Sequence, residues 1–349
     1  MTWKTGFEVE LLAPRGRTRE DLAKRVAAQS GGDVERIFYP QSEPSKVPGT
    51  PTFENLTIGS RVRDKQGTPV ASFVDDVTLQ RGLDKKAAPE RGWYRVVSDD
   101  SRLLQLVMQH CDPTAPLKTV LEPLAKLFGT ELSHHPSGMV KVVDERNISV
   151  ALAAYAPGER ERPCEIITAP IAGDHLGRLS LLLGQAEAAG FHVPWEGATH
   201  IHFDGTRLKS TNAIANMARL FLRHGQYLKQ LVGTNPNCVR LGGWPRAFTK
   251  LATSPDFPAM QWDEALERLR ECKLSKYCDF NLVNVIGENP RKQTFEVRIL
   301  PSTLSAASII QAAMLFEAIL EWCVSVPART TRLPETPQAL AQELKLPQI

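Results

Sequence analysis

The chain has 349 residues, 42% of them hydrophobic and 23% charged, which is the profile of a folded globular protein with enough apolar residues for a large core. The formal net charge is only +3, with basic residues interleaved among acidic ones, so nothing in the charge pattern points to a nucleic-acid partner. Six scattered cysteines without a CxxC pair argue against a zinc ribbon or a disulfide framework. No run of 18 or more uncharged apolar residues suggests a membrane span, and the first residues lack a secretory pattern, so a cytoplasmic protein is expected.

In chain order, residues 6 to 13 alternate as a strand does. Phe7, Val9 and Leu11 fall on one face, Glu8 and Glu10 on the other. A helix is expected over about 18 to 29, with the basic segment from Arg15 to Arg25 read as its solvated face. A Pro-, Ser- and Gly-rich stretch at about 39 to 52 reads as a loop. Short strands joined by hairpins follow to residue 100, then helical periodicity over 101 to 129. Strands are expected again at MVKVVDE, NISVALAAYA and CEIITAPI. A helix over about 174 to 189 has Asp174 as N-cap and Gly190 as stop. GATHIHFDG reads as a strand, and helices are expected at 211 to 232, 262 to 272 and 305 to 325. Between the last two lie strands YCDFNLVNVIG and QTFEVRIL. The alternation lacks regular βαβ spacing, so an α+β fold is expected: a large, mainly antiparallel sheet with helices packed on one side. Residues 1–325 are expected to form a single domain with a β-rich insertion at about 39–100, and 326–349 a peripheral tail.

Four strand-like segments carry polar, metal-capable residues where an apolar alternation would otherwise continue. FEVEL places Glu8 and Glu10 on one face of the pleat, although such a pair read alone is an ordinary polar face. In RPCEIITAPI, Glu165 sits in a run apolar enough to be buried, where a carboxylate requires a cation or a salt bridge. In THIHFD, His200 and His202 share a face and can converge on one point, as metal ligands do and as core or surface histidines also do. In TFEVRIL, Glu296 and Arg298 alternate with apolar residues and are equally able to pair with each other. Taken together, carboxylates at three sites plus imidazole make an oxygen-rich donor set suited to Mg²⁺ or Mn²⁺ rather than structural zinc. The adjacent arginine is what a transferring phosphoryl group requires.

In order, the segments GFEVEL, CEIITAPI, GATHIHFD, DFNLVNV and TFEVRILPSTL resemble those of the amidoligase family, a branch of the carboxylate–amine ligases that include glutamine synthetase and glutamate–cysteine ligase. The resemblance runs from about residue 6 to 320. It implies a sheet whose concave face holds Mg²⁺ (or Mn²⁺) between ATP and an amino-acid-like substrate. It implies γ-phosphoryl transfer to a carboxylate, followed by amine attack on the acyl phosphate. By the same resemblance Glu8, Glu10, Glu165, His200 and Glu296 are metal ligands, and His202 lies close to phosphate or substrate. Arg298 stabilises the γ-phosphoryl group, and Asn281 lines the cleft. An acidic residue expected before the EIITAPI-like strand is assigned to Asp144 over Asp99. Asp75, Asp76 and Arg95 belong to a substrate lid or are turn residues, with the turn reading preferred. Arg240 and Arg246, in the Gly-rich CVRLGGWPR segment, are candidates for clamping nucleotide phosphates or a substrate carboxylate, with surface placement the competing reading. The expected partners are small-molecule or peptide carboxylates and amines, with no nucleic acid or membrane. Two other readings use the same residues: a metal-dependent hydrolase or phosphoryl transferase, and a non-catalytic scaffold. No P-loop, GxGxxG or GxSxG motif offers a different nucleotide or acyl chemistry.

Overall fold

The computed structural model describes residues 1–44, 52–238, 240–289, 292–328 and 330–344. In chain order the elements are β1 (Thr5–Leu12), α1 (Arg19–Ser30), β2 (Asp33–Pro44), β3 (Thr52–Arg63), β4 (Pro69–Val74), β5 (Tyr94–Val97), α2 (Ser101–His110) and α3 (Glu122–Leu127). Next come β6 (Ser133–His134), β7 (Val140–Val143), β8 (Ser149–Tyr155), β9 (Pro163–Thr168), α4 (His175–Ala188), β10 (Ala198–Asp204), α5 (Thr211–Leu231), α6 (Arg246–Ala252) and α7 (Trp262–Glu271). β11 (Phe280–Asn281), α8 (Val283–Ile286), β12 (Thr294–Pro301), α9 (Ala306–Ser325) and α10 (Pro337–Glu343) complete the described residues. The fold is α+β, mostly antiparallel, with open sheets, as the patterning predicts.

The chain divides into two compact units. The first comprises Met1–Glu10, Thr168–Gly184 and Trp195–Ile349, the second Leu11–Ile167 and Gln185–Pro194. In the first, strands run in the order β11-β12-β10-β1, all antiparallel. Alternation sorts the side chains. Phe7, Val9, Ile201, Phe203, Phe295, Val297 and Ile299 are fully buried on the face that α5 and α9 cover. Phe221 of α5 stacks on Phe280 with ring centroids 4.0 Å apart, and Phe280 meets Phe316 of α9 at 6.1 Å. α9 is long and apolar enough by composition to cross a membrane, but Ile309, Ala313, Phe316, Ile319 and Leu320 are buried inside this unit. After α9 the chain is tied to α5, where Arg219 donates to the carbonyl of Ala328 and His224 Nε2 to that of Pro334, each at 2.8 Å.

In the second unit the order is β9-β4-β3-β5-β8-β7-β6, with β2 paired to β3. Leu104 and Val107 of α2 and Leu124 of α3 pack with Leu56, Ile58, Val96, Val140 and Ala153 into one apolar cluster. The structure departs from the sequence reading at two places here. The loop expected at 39 to 52 is strand at both described ends, through Pro44 and from Thr52, and residues 45–51 lie outside the described residues. Among the described residues β2 pairs only with β3, and such an edge tolerates Pro40 and Pro44 because no second neighbour needs their missing N–H groups. Arg19, expected on a solvated helix face, is 2% exposed. Its guanidinium donates to the carbonyls of Ile58, Arg160 and Pro163 and lies 4.2 Å from the ring centroid of Trp93. Buried carbonyls and an aromatic face thus satisfy a cation that water would otherwise solvate.

Candidate metal and phosphate site

The polar face of the first unit's sheet gathers seven of the side chains singled out in the sequence. Register does most of this. Glu8 lies opposite His200, while His202 and Asn281 both lie opposite Glu296. Between Thr199 and Ile201 the β10–β12 register slips by one residue, so that His200 alone faces Arg298 and Ile299. A bulge of this kind bends its strand and re-aims the side chains beside it.

Nδ1 of His200 is 3.1 Å from Glu8 Oε2 and 3.4 Å from Glu296 Oε1, and its Nε2 is 3.9 Å from Glu10 Oε1. Nε2 of His202 is 3.1 Å from Glu8 Oε1 and 3.8 Å from Glu296 Oε1. Despite that closeness, Nε2 of His202 is buried and makes no hydrogen bond of regular geometry among the described residues. Glu296 is held from both sides. Arg298 donates to its Oε1 and the Asn281 amide to its Oε2, at 2.7 Å. Glu10 accepts the Ala198 backbone N–H at 2.8 Å.

The charges explain how this arrangement stands without collapsing. Burial disfavours a charged His202, but Glu8 and Glu296 outweigh it and lift its pKa to about 9. Burial likewise opposes ionisation of Glu8, yet His202 and the hydrogen bond from His200 hold it well below the usual carboxylate range. Glu296 is also lowered, His202 and Arg298 outweighing its burial. Arg298 is raised in turn, with Glu296 overcoming desolvation. Two carboxylates, an imidazolium and a guanidinium therefore coexist at neutral pH, the proton on His202 acting as a small local cation.

The donor set fits a divalent ion. Glu8, His202 and Glu296 each present a ligand atom, all within 4.8 Å of one another. Ligands sharing an octahedral ion at about 2.1 Å lie roughly 3 Å apart, close to the His202–Glu8 separation. Two carboxylates with one imidazole favour Mg²⁺ or Mn²⁺ over soft-metal chemistry. The orphaned Nε2 of His202 is the kind of buried nitrogen that coordination would satisfy.

A family model described as a putative amidoligase enzyme matches residues 1–320. The chain belongs to the amidoligase family. That membership makes it one of a family of amide-bond-forming ligases, and it covers the strands just described. No curated protein matches the chain in sequence.

The remaining predicted residues of this amidoligase lie on other elements and the turns between them. Glu165 lies on β9 in the second unit, half-buried on the strand face opposite the buried Cys164 and Ile166. Asp144, also in the second unit, accepts the backbone N–H groups of Arg146 and Ile148 at 2.9 and 2.8 Å. It closes the β7–β8 hairpin, where Asn147 takes a positive φ of 60°, and it joins no group of three metal-capable side chains among the described residues. Asp99 is exposed, and its neighbour Asp100 caps α2. Asp75 is buried and pairs with Arg160, with Arg95 3.6 Å away, while Asp76 accepts the N–H and hydroxyl of Thr78, each at 2.8 Å. Asp76 is thus the turn residue expected, and Asp75 anchors a buried ion pair. Arg240 lies 5.6 Å from the Tyr277 ring centroid, and Arg246 opens α6 on the surface.

The sequence reading missed Asp279. It stands two residues before Asn281, and its carbonyl accepts the Arg298 N–H at 3.0 Å. Its Oδ2 accepts from Lys229 Nζ at 2.9 Å, while Oδ1 is buried without a partner among the described residues. Period-two alternation back from Asn281 was the available signal. The segment was read as one long strand, but Asn281 Oδ1 accepts the Val283 N–H at 2.9 Å, a local turn that ends β11 and starts α8.

Proposed function

We propose that this chain is an ATP- and Mg²⁺-dependent carboxylate–amine ligase working through an acyl phosphate. The observation that carries the reading is the meeting of Glu8, His202 and Glu296 around one point, with Arg298 bonded to Glu296 beside it. In this reading a substrate carboxylate oxygen attacks the γ-phosphorus of ATP and ADP leaves. The amine nitrogen then attacks the acyl carbon, phosphate departs, and the amide forms. A carboxylate is a poor electrophile, and phosphorylation supplies the leaving group.

Glu8, His202 and Glu296 would hold a divalent ion, which supplies charge neutralisation at the phosphate oxygens. Arg298 neutralises charge on the γ-phosphoryl group from its own side, in a position fixed by Glu296. His200, between Glu8 and Glu10, orients both carboxylates, and Asn281 orients Glu296. Six free cysteines, four of them buried, agree with a cytoplasmic setting.

Hydroxylamine tests the acyl phosphate without knowledge of the natural amine. With Mg²⁺, ATP and a pool of amino acids or short peptides, ADP and hydroxamate should appear together, each requiring the carboxylate. Phosphate release from ATP or from phosphate esters, indifferent to both carboxylate and hydroxylamine, would instead establish the hydrolase alternative.

A further inference from the structure

Of the side chains proposed to hold the cation, Glu8 is oriented by His200, and Glu296 by Asn281 and Arg298. His202 is oriented from the other side of its ring. Its Nε2 faces Glu8 and Glu296 without a hydrogen bond of regular geometry among the described residues, whereas its Nδ1 lies 3.4 Å from Thr294 Oγ1. An imidazole rotated by half a turn about Cβ–Cγ keeps its outline but puts carbon where each nitrogen stood, so packing alone separates the two orientations poorly. In the rotated ring Thr294 would face Cδ2, and Cε1 instead of Nε2 would point at the carboxylates. The ring nitrogen offered to a metal is set by the hydrogen bond that the other one makes.

Thr294 is itself held in place. Asn284 Nδ2 donates to the same Oγ1 at 3.2 Å. Asn284 stands in α8, and both ends of that short helix are fixed: Asn281 Oδ1 accepts the Val283 N–H at its start, and Arg270 Nε donates to the Ile286 carbonyl at 2.8 Å at its end. Its flank is fixed by close approach to the end of β10. A Cβ at Gly205 would stand 2.8 Å from Val285 Cγ2 and 3.2 Å from the Gln293 carbonyl oxygen, so only glycine lets α8 and the start of β12 close on that strand. The DFNLVN segment therefore carries two asparagines with parallel tasks, the amide of Asn281 reaching Glu296 directly and that of Asn284 reaching His202 through a hydroxyl.

We infer that Thr294 and Asn284 are positioning residues of the proposed metal centre: the Thr294 hydroxyl, held by the Asn284 amide, selects the ring orientation of His202 that turns Nε2 toward Glu8 and Glu296. Both act on the cation only through His202. The inference rests on the metal-binding reading of Glu8, His202 and Glu296 and adds the part of the structure that aims its nitrogen ligand.

Manganese affinity by electron paramagnetic resonance, on wild type, Thr294→Val, Thr294→Ser, Asn284→Ala and the double variant Thr294→Val/Asn284→Ala, tests it. Thr294→Val keeps the branched shape that a strand favours and removes the hydroxyl, while Thr294→Ser keeps the hydroxyl. Thr294→Val should weaken Mn²⁺ about tenfold and Asn284→Ala about threefold or more, with Thr294→Ser close to wild type. The double variant should be no weaker than Thr294→Val alone, because the amide acts through the hydroxyl. In the metal-free protein the ¹⁵N resonance of His202 Nδ1 should move in Thr294→Val and stay in Thr294→Ser, which a merely structural role would not produce. Wild-type affinity in a folded Thr294→Val or in Asn284→Ala, an equal loss in Thr294→Ser, or additive losses in the double variant would overturn the assignment while leaving the metal site in place. Wild type that binds no Mn²⁺ would remove the metal reading, and the positioning role with it.

Discussion

His202 Nε2 is where the proposed chemistry concentrates, because a proton and the proposed metal ion would compete for the same buried nitrogen. With the pKa at about 9, coordination must displace that proton. Affinity for Mn²⁺ should therefore rise steadily from pH 6.5 to pH 9, with proton release visible as buffer-dependent heat. A pH-independent affinity would place the ion elsewhere. In the metal-free protein the sign reverses. A histidine raised from 6.5 to about 9 contributes its full stability below pH 6.5 and loses it as pH climbs through 9. The urea midpoint of metal-free wild type should fall across that window, and Glu8→Gln should flatten the fall. Arg298 acts differently, as a rigid fork aligned by Glu296. Arg298→Lys keeps the charge but loses the fork, and should lower kcat by about 10²–10³ with little effect on Mn²⁺ binding.

The elements make these contacts possible through three devices: the β10–β12 register, the bulge opposite His200, and the turn at Asn281. Asn281 does two jobs, since its side-chain N–H supports Glu296 and its side-chain oxygen starts α8. Asn281→Ala should cost about 1–3 kcal/mol of stability by urea unfolding and weaken Mn²⁺ about 10–100-fold. Asn281→Asp keeps the turn acceptor but sets a carboxylate against Glu296, so it should recover stability only in part and affinity not at all. The period-two patterns of FEVEL, THIHFD and TFEVRIL were legible in the sequence because one face of each strand is mainly apolar. The bulge was not, since nothing in TFEVRIL shows that β12 carries one more residue than β10 at that point. Nor was β2, where Pro40 and Pro44 mimic a loop and only the pairing with β3 makes them an edge strand.

At the scale of the molecule, each unit carries its own polar commitments. In the second, Arg160 is buried against Asp75 and donates to the carbonyls of Leu79 and Asp76 as well. Asp75→Ala leaves that guanidinium buried without its carboxylate, and should destabilise by about 3–5 kcal/mol in urea unfolding. Sequence reading found the acidic pair but not its partner, because Arg160 lies 85 residues away in a stretch without a motif. The apolar periodicities of α1, α4, α5, α7 and α9 placed those helices to within a few residues, since each buries one stripe. Asp279 escaped notice for the opposite reason, being an acid just before a two-residue strand whose partner, Lys229, comes from a helix.

Manganese binding followed by electron paramagnetic resonance tests the central claim most directly, because Mn²⁺ stands in for Mg²⁺ and reports occupancy without turnover. Wild type should bind Mn²⁺, more tightly with ATP present, and folded Glu8→Gln and Glu296→Gln should each weaken it at least tenfold. Unchanged Mn²⁺ binding in both variants would contradict a metal centre built on Glu8, His202 and Glu296.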